Sequence, residues 1–177
     1  MSGNRLELRA LRIEDERSFR AAVDEFEKYS PEFVFAFDFV HSAEFSEYVV
    51  RRDGWSQGVG VPTGFVPNTF LVGVVDGVVV GRLSIRHYLN ERIDRVGGHI
   101  GYGVIPSRRR QGFATEMLRQ ALPICRALGI ERALLTCDES NVGSQKVVES
   151  CGGVLEGKIP CPETGVEKRR YWITISP

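Results

Sequence analysis

A strand-like segment, a basic loop and a helix-like segment follow one another between residues 99 and 128. HIGYGVI (99–105) has the composition of a strand, arginines 108–110 occupy the loop, and an apolar series at helical spacing follows Gly112. This order places the loop at the carboxyl edge of a sheet, where α/β proteins bind ligands. Because the first N–H groups of a helix have no partner within it, they favour an anion. The segment therefore predicts an anion site of phosphate size within an α/β fold.

A second interpretation of the three arginines is a basic stripe that grips a nucleic-acid backbone. The sequence holds 23 Lys and Arg against 23 Asp and Glu, so the whole molecule has no net charge to attract a polyanion or an acidic membrane surface. The other arginine pairs, Arg51-Arg52 and Arg169-Arg170, are scattered along the chain. We therefore expect neither a nucleic-acid partner nor a membrane partner.

Length and composition favour one soluble domain. With 177 residues and a hydrophobic fraction of 42%, the chain suffices for one sizeable core, so a single domain is expected over residues 1–177. The four cysteines form no C-x-x-C pair, and no metal site is expected. The N-terminus has no apolar leader, and no window approaches the roughly 20 apolar residues of a membrane span. Plain thiols suit a reducing compartment, so we expect a cytoplasmic protein.

The N-terminal part of the chain predicts a strand, two helices and a long loop. LELRAL (6–11) alternates apolar and polar residues, as a half-buried strand does. One amphipathic helix is predicted from Glu14 to Glu27, and a second from Ala43 to Arg51 with Ser42 as its N-cap. The segment from Arg52 to Asn68 is rich in glycine and proline, which predicts a functional loop on the substrate side.

Strands and helices alternate in the rest of the chain. Asp76-Gly77 joins two β-branched runs and gives the best hairpin signal in the sequence. The helix after the basic loop, Gly112 to Leu128, is expected to kink at Pro123 and to stop at Gly129. Four further elements follow: a strand RALLTC (132–137), a helix from Val142 to Cys151 capped by Asn141, and strands VLEGKI (154–159) and RRYWITI (169–175). This alternation implies crossover connections and a parallel pair of strands at the centre of the sheet.

The loop and its surroundings resemble the GNAT superfamily of N-acetyltransferases. Arg109 to Ala114 fits the superfamily signature [QR]-x-x-G-x-[GA], and the V-x-P that usually precedes it stands at Val104 to Pro106. Asn141-Val-Gly-Ser144 then leads into a helix that ends in Cys151-Gly-Gly, as in the later motif of the family. The resemblance implies an α/β, mixed α+β fold with about four helices and a mixed sheet of six or seven strands that splays between HIGYGVI and RALLTC.

The resemblance also implies that acetyl-CoA is the co-substrate and lies in the wedge between those two strands. In that arrangement the pantetheine pairs with the backbone near Val104 and Ile105. Arg109 or Arg110 adds a charge-assisted bond to a phosphate, whereas Arg108 faces solvent. The residues that hold the pyrophosphate and complete the cofactor site are then Arg110, Gln111, Gly112, Phe113, Ala114, Thr115, Asn141 and Ser144.

Acetyl transfer by direct attack of an amine needs a route for the amine proton, a donor to the carbonyl oxygen and a proton for the leaving sulfur. His99 is the candidate base, and a histidine hydrogen-bonded inside the sheet is the equal alternative. The backbone N–H of Val104 or Ile105 is the candidate oxygen donor. Many relatives carry a tyrosine acid where this chain has Val148, so Tyr102, Ser144 and Cys137 stand as substitutes. We place His99, Ser144 and Tyr102 in the catalytic set.

The expected acceptor is a primary amine of a small molecule or a peptide. The alternative function is a non-catalytic acyl-CoA-binding module, and a homodimer remains open. Phe33 to Phe39 places a phenylalanine at every second position, which on a strand would form one aromatic face, either in the core or on the wall of the acceptor pocket.

Overall fold

Seven strands and five α-helices alternate along residues 5–175, the part of the chain that the computed structural model describes. The strands are β1 (Glu7–Ala10), β2 (Asn68–Val75), β3 (Val78–Arg86), β4 (Ile100–Val104), β5 (Arg132–Asp138), β6 (Val154–Pro160) and β7 (Glu167–Thr174). The helices are α1 (Glu16–Tyr29), α2 (Phe45–Ser56), α3 (Glu91–Val96), α4 (Phe113–Ala127) and α5 (Val142–Ser150). No helix among these residues is long and apolar enough to span a bilayer.

The strands form two antiparallel ladders, one in the order β1-β2-β3-β4 and the other in the order β5-β7-β6. β4 and β5 form no ladder, and one isolated bridge joins Gly98, two residues before β4, to Leu135 of β5. Gly98 is required there, because a Cβ at this position would lie 2.4 Å from the carbonyl oxygen of Leu134. The predicted separation between HIGYGVI and RALLTC is thus confirmed. The predicted parallel hydrogen-bonded pair is wrong, since every ladder in residues 5–175 is antiparallel.

The β2–β3 hairpin forms where the sequence predicts it. Val75 pairs with Val78, and the two residues between them have positive φ, 50° at Asp76 and 75° at Gly77. Both central residues of a type I′ turn need positive φ, which an Asp-Gly pair tolerates. The turn therefore sets the pairing of β3 with β2, and on its other side β3 pairs Arg82 with Gly103 of β4.

Helices cover both faces of the four-stranded sheet. On one face α4 buries Met117 and Leu118 completely against Leu83 and Ile85. On the other face α1 and α2 pack an aromatic cluster against the sheet. This cluster consists of Phe19, Phe26, Phe35, Phe45, Tyr48 and Phe70. This two-faced burial leaves the free side of β4 open toward the second sheet.

Several predicted boundaries need correction. α2 begins at Phe45 with Glu44 at the N-cap, rather than at Ala43 behind Ser42, and it continues to Ser56. α4 runs from Phe113 to Ala127 with Pro123 inside it, within a residue of the predicted ends, and the predicted stop Gly129 has left-handed backbone (φ 80°). The short helix α3 was not predicted from the sequence, although Asn90 caps it by accepting a hydrogen bond from the N–H of Ile93.

The segment from Phe33 to Phe39 is not a strand. Its backbone forms turns and bends, which point its phenylalanines in different directions. Phe35 is buried in the aromatic cluster, whereas Phe33 lies against Phe26 and Gly103. The segment therefore contributes both to the core and to the wall of a cavity.

Candidate active site

A cavity of about 550 Å³ opens where β4 ends and α4 begins. Its lining comes from α1 and the segment that follows it, the end of β4, the loop 106–112, the first turn of α4, and α5 with its cap. The residues singled out from the sequence that line this cavity are Tyr102, Val104, Arg109, Arg110, Gly112, Phe113, Ala114, Thr115, Asn141 and Ser144. Gln111, Ile105 and His99 do not line it.

The loop before α4 has the backbone shape of an anion cradle. A single 3-10 turn, Pro106–Arg108, is followed by left-handed backbone at Arg110 (φ 61°) and again at Gly112 (φ 82°). Gly112 is the N-cap of α4 and supplies no side-chain acceptor to the first turn. The N–H groups of that turn are therefore free to bind an anion, and left-handed residues turn neighbouring N–H groups toward one point.

Arg109 lines the cavity, and its guanidinium is hydrogen-bonded to neutral partners. Its Nε donates to the carbonyl of Val104 at 3.1 Å, and its Nη2 donates to the hydroxyl of Ser30 at 2.7 Å. The guanidinium also lies 5.4 Å from the centre of the Phe26 ring. Since no carboxylate among the described residues neutralises it, its positive charge acts on the cavity. Arg108, expected in solvent, is exposed and also lines the cavity.

The two backbone donors proposed from the sequence are not equivalent. The N–H of Ile105 donates to the carbonyl of Val80 at 3.0 Å and is therefore already occupied. Donors alternate between the two sides of an antiparallel strand, so the N–H of Val104 points away from β3, toward the open side. Val104 is the one that can meet a ligand.

Tyr102 of β4 and Ser144 of α5 form a hydroxyl pair in the lining of the cavity. The two oxygens lie 2.8 Å apart. Asn141 accepts a hydrogen bond from the N–H of Ser144 at 3.0 Å, so the cap of α5 also fixes the residue that meets Tyr102. Burial raises the pKa of Tyr102 well above its usual value, against a smaller opposite effect of its bond to Ser144. Tyr102 therefore holds its proton throughout the neutral range.

An anion cradle, an open N–H on β4 and a protonated hydroxyl pair thus share one groove. The family model for the acetyltransferase (GNAT) domain matches residues 5–154. The chain belongs to the GNAT acetyltransferases. No curated protein matches the sequence significantly.

Solved GNAT proteins share the fold over nearly the whole chain. An acetyltransferase from Salmonella typhimurium, which modifies the N-terminal serine of the 50S ribosomal protein L7/L12, is 21% identical, with a TM-score of 0.68 over 97% of this chain and 95% of its own. The Salmonella typhimurium protein yncA, solved with acetyl-CoA, is 14% identical, with a TM-score of 0.64 over 97% and 94%. The microcin C7 self-immunity acetyltransferase MccE, solved with acetyl-CoA and AMP, is 15% identical, with a TM-score of 0.71 over 98% and 94%.

The residue that replaces the usual GNAT tyrosine cannot reach the groove. Val148 is 1% exposed and packs in the core beneath α5. Cys137 is buried too, and burial raises the pKa of its thiol, so it stays protonated. Tyr102 and Ser144 are thus the two substitutes of the sequence-based set that line the cavity.

His99 does not occupy the position of a base in this GNAT groove. Its ring Nδ1 accepts a hydrogen bond from the backbone N–H of Leu134 at 3.0 Å. The backbone N–H of His99 donates to the carbonyl of Leu134 at 2.7 Å. A neutral imidazole with Nδ1 accepting carries its proton on Nε2, which leaves no free lone pair. Burial, and then the charge of Arg86, lowers the pKa of His99. These contacts fit the alternative interpretation, a histidine hydrogen-bonded inside the sheet, and through them His99 clamps the start of β4 to β5.

Sequence reasoning offered the Phe33–Phe39 segment as one possible pocket wall, but it missed Ser30 and Glu32. Ser30, Glu32 and Phe33 line the cavity, and Glu32 is the one carboxylate among the lining residues. These residues stand about seventy positions before the signature loop, and no local pattern connects the two. Only the packing of α1 on β3 brings them together.

Proposed function

We propose that this protein transfers the acetyl group of acetyl-CoA to a primary amine by direct attack. The observation that carries the proposal is the pairing of Tyr102 with Ser144 at 2.8 Å beside the free N–H groups of the α4 first turn. Membership of the GNAT acetyltransferases supports the donor, and yncA and MccE, which share the fold, were solved with acetyl-CoA. Acetyl-CoA supplies the activated thioester.

In this proposal acetyl-CoA is bound by backbone groups more than by side chains. The cradle from Arg110 to Thr115 binds the pyrophosphate through N–H groups that have no other partner, and the helix N-terminus adds favourable partial charge. The charge of Arg109 also attracts the pyrophosphate, since its hydrogen-bond partners among the described residues are neutral. Gly112 leaves room, because nothing lies within 4 Å of the position that a Cβ would take.

Three groups of the chain divide the chemistry. The N–H of Val104 donates to the carbonyl oxygen as negative charge develops on it. The Tyr102 hydroxyl, kept protonated by burial and ordered by Ser144, provides the proton for the departing sulfur. Glu32 accepts the amine proton or passes it to solvent at the exposed mouth of the cavity. An α-amine has a pKa of about 7.7 to 8.0, so part of it is neutral at working pH without a strong base.

The acceptor is an amine in this proposal, and the N-terminal serine modified by the Salmonella relative makes an α-amine the first class to try. We also propose the cytosol as its location, because the four cysteines are free thiols.

Two assays test the proposed function. Acetyl-CoA at a concentration a hundredfold above its Kd should raise the free energy of unfolding by about 2.7 kcal/mol. Release of free thiol from acetyl-CoA should then appear with members of an amine panel and be absent without amine. Binding without thiol release across the panel would instead support a non-catalytic acyl-CoA-binding module.

A further inference from the structure

Two arginines of β3 differ from every other shielded arginine in residues 5–175. Eight arginines in this range are buried or half-buried. Six of them pair with a carboxylate: Arg9 with Asp15, Arg20 with Glu16, Arg51 and Arg52 with Asp38, Arg169 with Glu139, and Arg170 with Glu156. For the remaining two, Arg82 and Arg86, no described carboxylate lies within ion-pair distance.

Arg82 and Arg86 converge over one glycine of β4. A Cβ at Gly101 would lie 3.7 Å from Nη1 of Arg82 and 3.8 Å from both terminal nitrogens of Arg86. Arg82 donates to the carbonyl of Gly101 at 3.2 Å and to that of Val34, whereas Arg86 donates to the carbonyl of Gly98 at 2.8 Å. The Nε of Arg82 is sealed from solvent without any partner. Backbone carbonyls thus supply all the strong contacts of two neighbouring cations.

This arrangement costs free energy in the protein alone. Two guanidinium groups are withdrawn from water without a counter-ion, and they repel each other. Burial, followed by the charge of Arg86, lowers the pKa of Arg82 to about 9, and burial lowers the pKa of Arg86 as well. The nearby Arg52, which is also buried, has Asp38 as its partner. An anionic ligand over Gly101 would supply what Asp38 supplies to Arg52.

The arginine pair adjoins the catalytic groove. Gly103, two residues further along β4 on the same face as Gly101, lines the cavity. Residues two apart on a strand are separated by about 7 Å. Phe33 connects the two places, because its ring lies against the Cβ position of Gly103 and 4.5 Å from the guanidinium of Arg82. A small acceptor whose amine reaches the groove beside Gly103 therefore extends its other end toward the two arginines.

We propose that Arg82 and Arg86 bind an anionic group, a carboxylate or a phosphate, on the amine acceptor. The acceptor class is then a small amine that carries a negative charge a few bonds from its nitrogen. This inference rests on the proposed acetyl transfer, and it adds to that function the selection of the acceptor. Gly101 provides the floor of the subsite, since a Cβ at this position would lie within 4 Å of both guanidinium groups.

Matched acceptor pairs test the subsite by thiol release. The pairs are glycine with glycinamide, for a carboxylate, and O-phosphoethanolamine with ethanolamine, for a phosphate. The anionic member of at least one pair should show a kcat/KM about tenfold or more above its neutral partner, and the better pair identifies the anion. Amidation leaves the glycine amine easier to deprotonate, so a preference for the acid reflects binding. Equal kcat/KM values within both pairs would overturn the inference and leave the proposed acetyl transfer standing.

Variants connect the preference to the two arginines. Arg82→Gln and Arg86→Gln should each remove most of the preference, which is measured as the ratio of the two kcat/KM values within one pair. Arg20→Gln is the matched control, because Arg20 also donates to two loop carbonyls but pairs with Glu16 on α1. Gly101→Ala retains both arginines and places a methyl group at ordinary contact distance, so it should fold normally and still lower kcat/KM for the acid. A preference that survives in all three subsite variants would contradict the assignment.

A binding experiment keeps the subsite testable if no amine is acetylated. O-Phosphoethanolamine is titrated calorimetrically into protein saturated with CoA, which occupies the pyrophosphate cradle and allows no transfer. Binding to wild type that is lost in Arg82→Gln and Arg86→Gln supports the subsite even if the proposed transferase activity fails. Binding that is unchanged in these variants, or absent for both the phosphate and a glycine probe, counts against it.

Discussion

Tyr102 and Ser144 carry most of the proposed chemistry at the scale of single residues. Both were recognisable from the sequence only as substitutes for the tyrosine missing at Val148, and nothing in the sequence favoured one over the other. The structure connects them, because β4 supplies the phenol and the cap of α5 fixes the serine 2.8 Å away. Ser144 orders the hydroxyl, and burial keeps the phenol protonated.

Replacing Tyr102 with Phe should lower kcat about a hundredfold, because the leaving sulfur then lacks its proton donor. The Kd for acetyl-CoA should change little, since no phosphate contact is removed. Steady-state kinetics and a binding titration measure the two effects. Tyr171→Phe is the control, because this buried tyrosine bonds Glu149 instead of facing the groove. A Tyr102→Phe enzyme with wild-type kcat would eliminate the phenol as the acid.

His99→Ala should affect stability more than catalysis. The N–H of Leu134 loses its acceptor, which costs about 1 to 3 kcal/mol in the free energy of unfolding. Catalysis per folded molecule should keep both its kcat and its pH profile. Urea unfolding and thiol release measure the two properties, and a loss of kcat on the acid side of the profile would restore His99 as the base.

The lowered pKa of His99 also predicts a pH dependence of stability. Below about pH 6.5 His99 of the unfolded chain binds a proton, whereas His99 of the folded protein, with its lowered pKa, stays neutral. The free energy of unfolding therefore falls as the pH drops toward the folded pKa. His87, whose pKa burial also lowers, acts in the same direction. Urea unfolding at pH 7.5 and pH 5.5 should therefore show a smaller decrease for His99→Ala than for wild type. An equal decrease in both proteins would show that His99 does not contribute.

At the scale of elements, the unit formed by β4, the basic loop and α4 was predictable because its signals are local. Gly112 precedes an apolar helical series, and the arginines mark the loop. The segment after α1 was not predictable in the same way. Its alternating phenylalanines match the period of a strand, yet packing against Phe19 and Phe26 places them in turns. The contribution of Ser30 and Phe33 to the groove depends on that packing.

Alanine variants of the two glycines at opposite ends of α4 distinguish the effect of backbone strain from an effect on acetyl-CoA binding. Gly112 and Gly129 have nearly the same φ, 82° and 80°, and neither has an atom within 4 Å of its Cβ position. Alanine at either position should cost about 1 to 2 kcal/mol of stability through its left-handed backbone. Only Gly112→Ala should also weaken acetyl-CoA binding, because its methyl group projects at the cradle. Thermal unfolding and calorimetric titration decide this, and equal Kd values for the two variants would argue against a cradle at this loop.

At the scale of the whole molecule, the groove exists because the residues just before β4, Gly98 and His99, bond to β5, whereas β4 itself forms no ladder with β5. The sequence predicted the separation through a family resemblance and offered a hydrogen-bonded His99 as one alternative, but it did not predict Leu134 as the partner of His99 or the unpaired arginines of β3. Both depend on contacts between residues distant in sequence, for which a single chain carries no periodic signal. Arg82 and Arg86 became recognisable only when the partners of every other shielded arginine were known.

Mass spectrometry of the acceptor shows directly whether the protein moves an acetyl group onto an amine. The purified protein is incubated with acetyl-CoA and an amine panel that includes the glycine and phosphoethanolamine pairs. We predict that at least one amine gains one acetyl group for each free thiol released, and that Tyr102→Phe slows the gain about a hundredfold. Tight binding of acetyl-CoA with no acetylated amine in the panel would contradict the account.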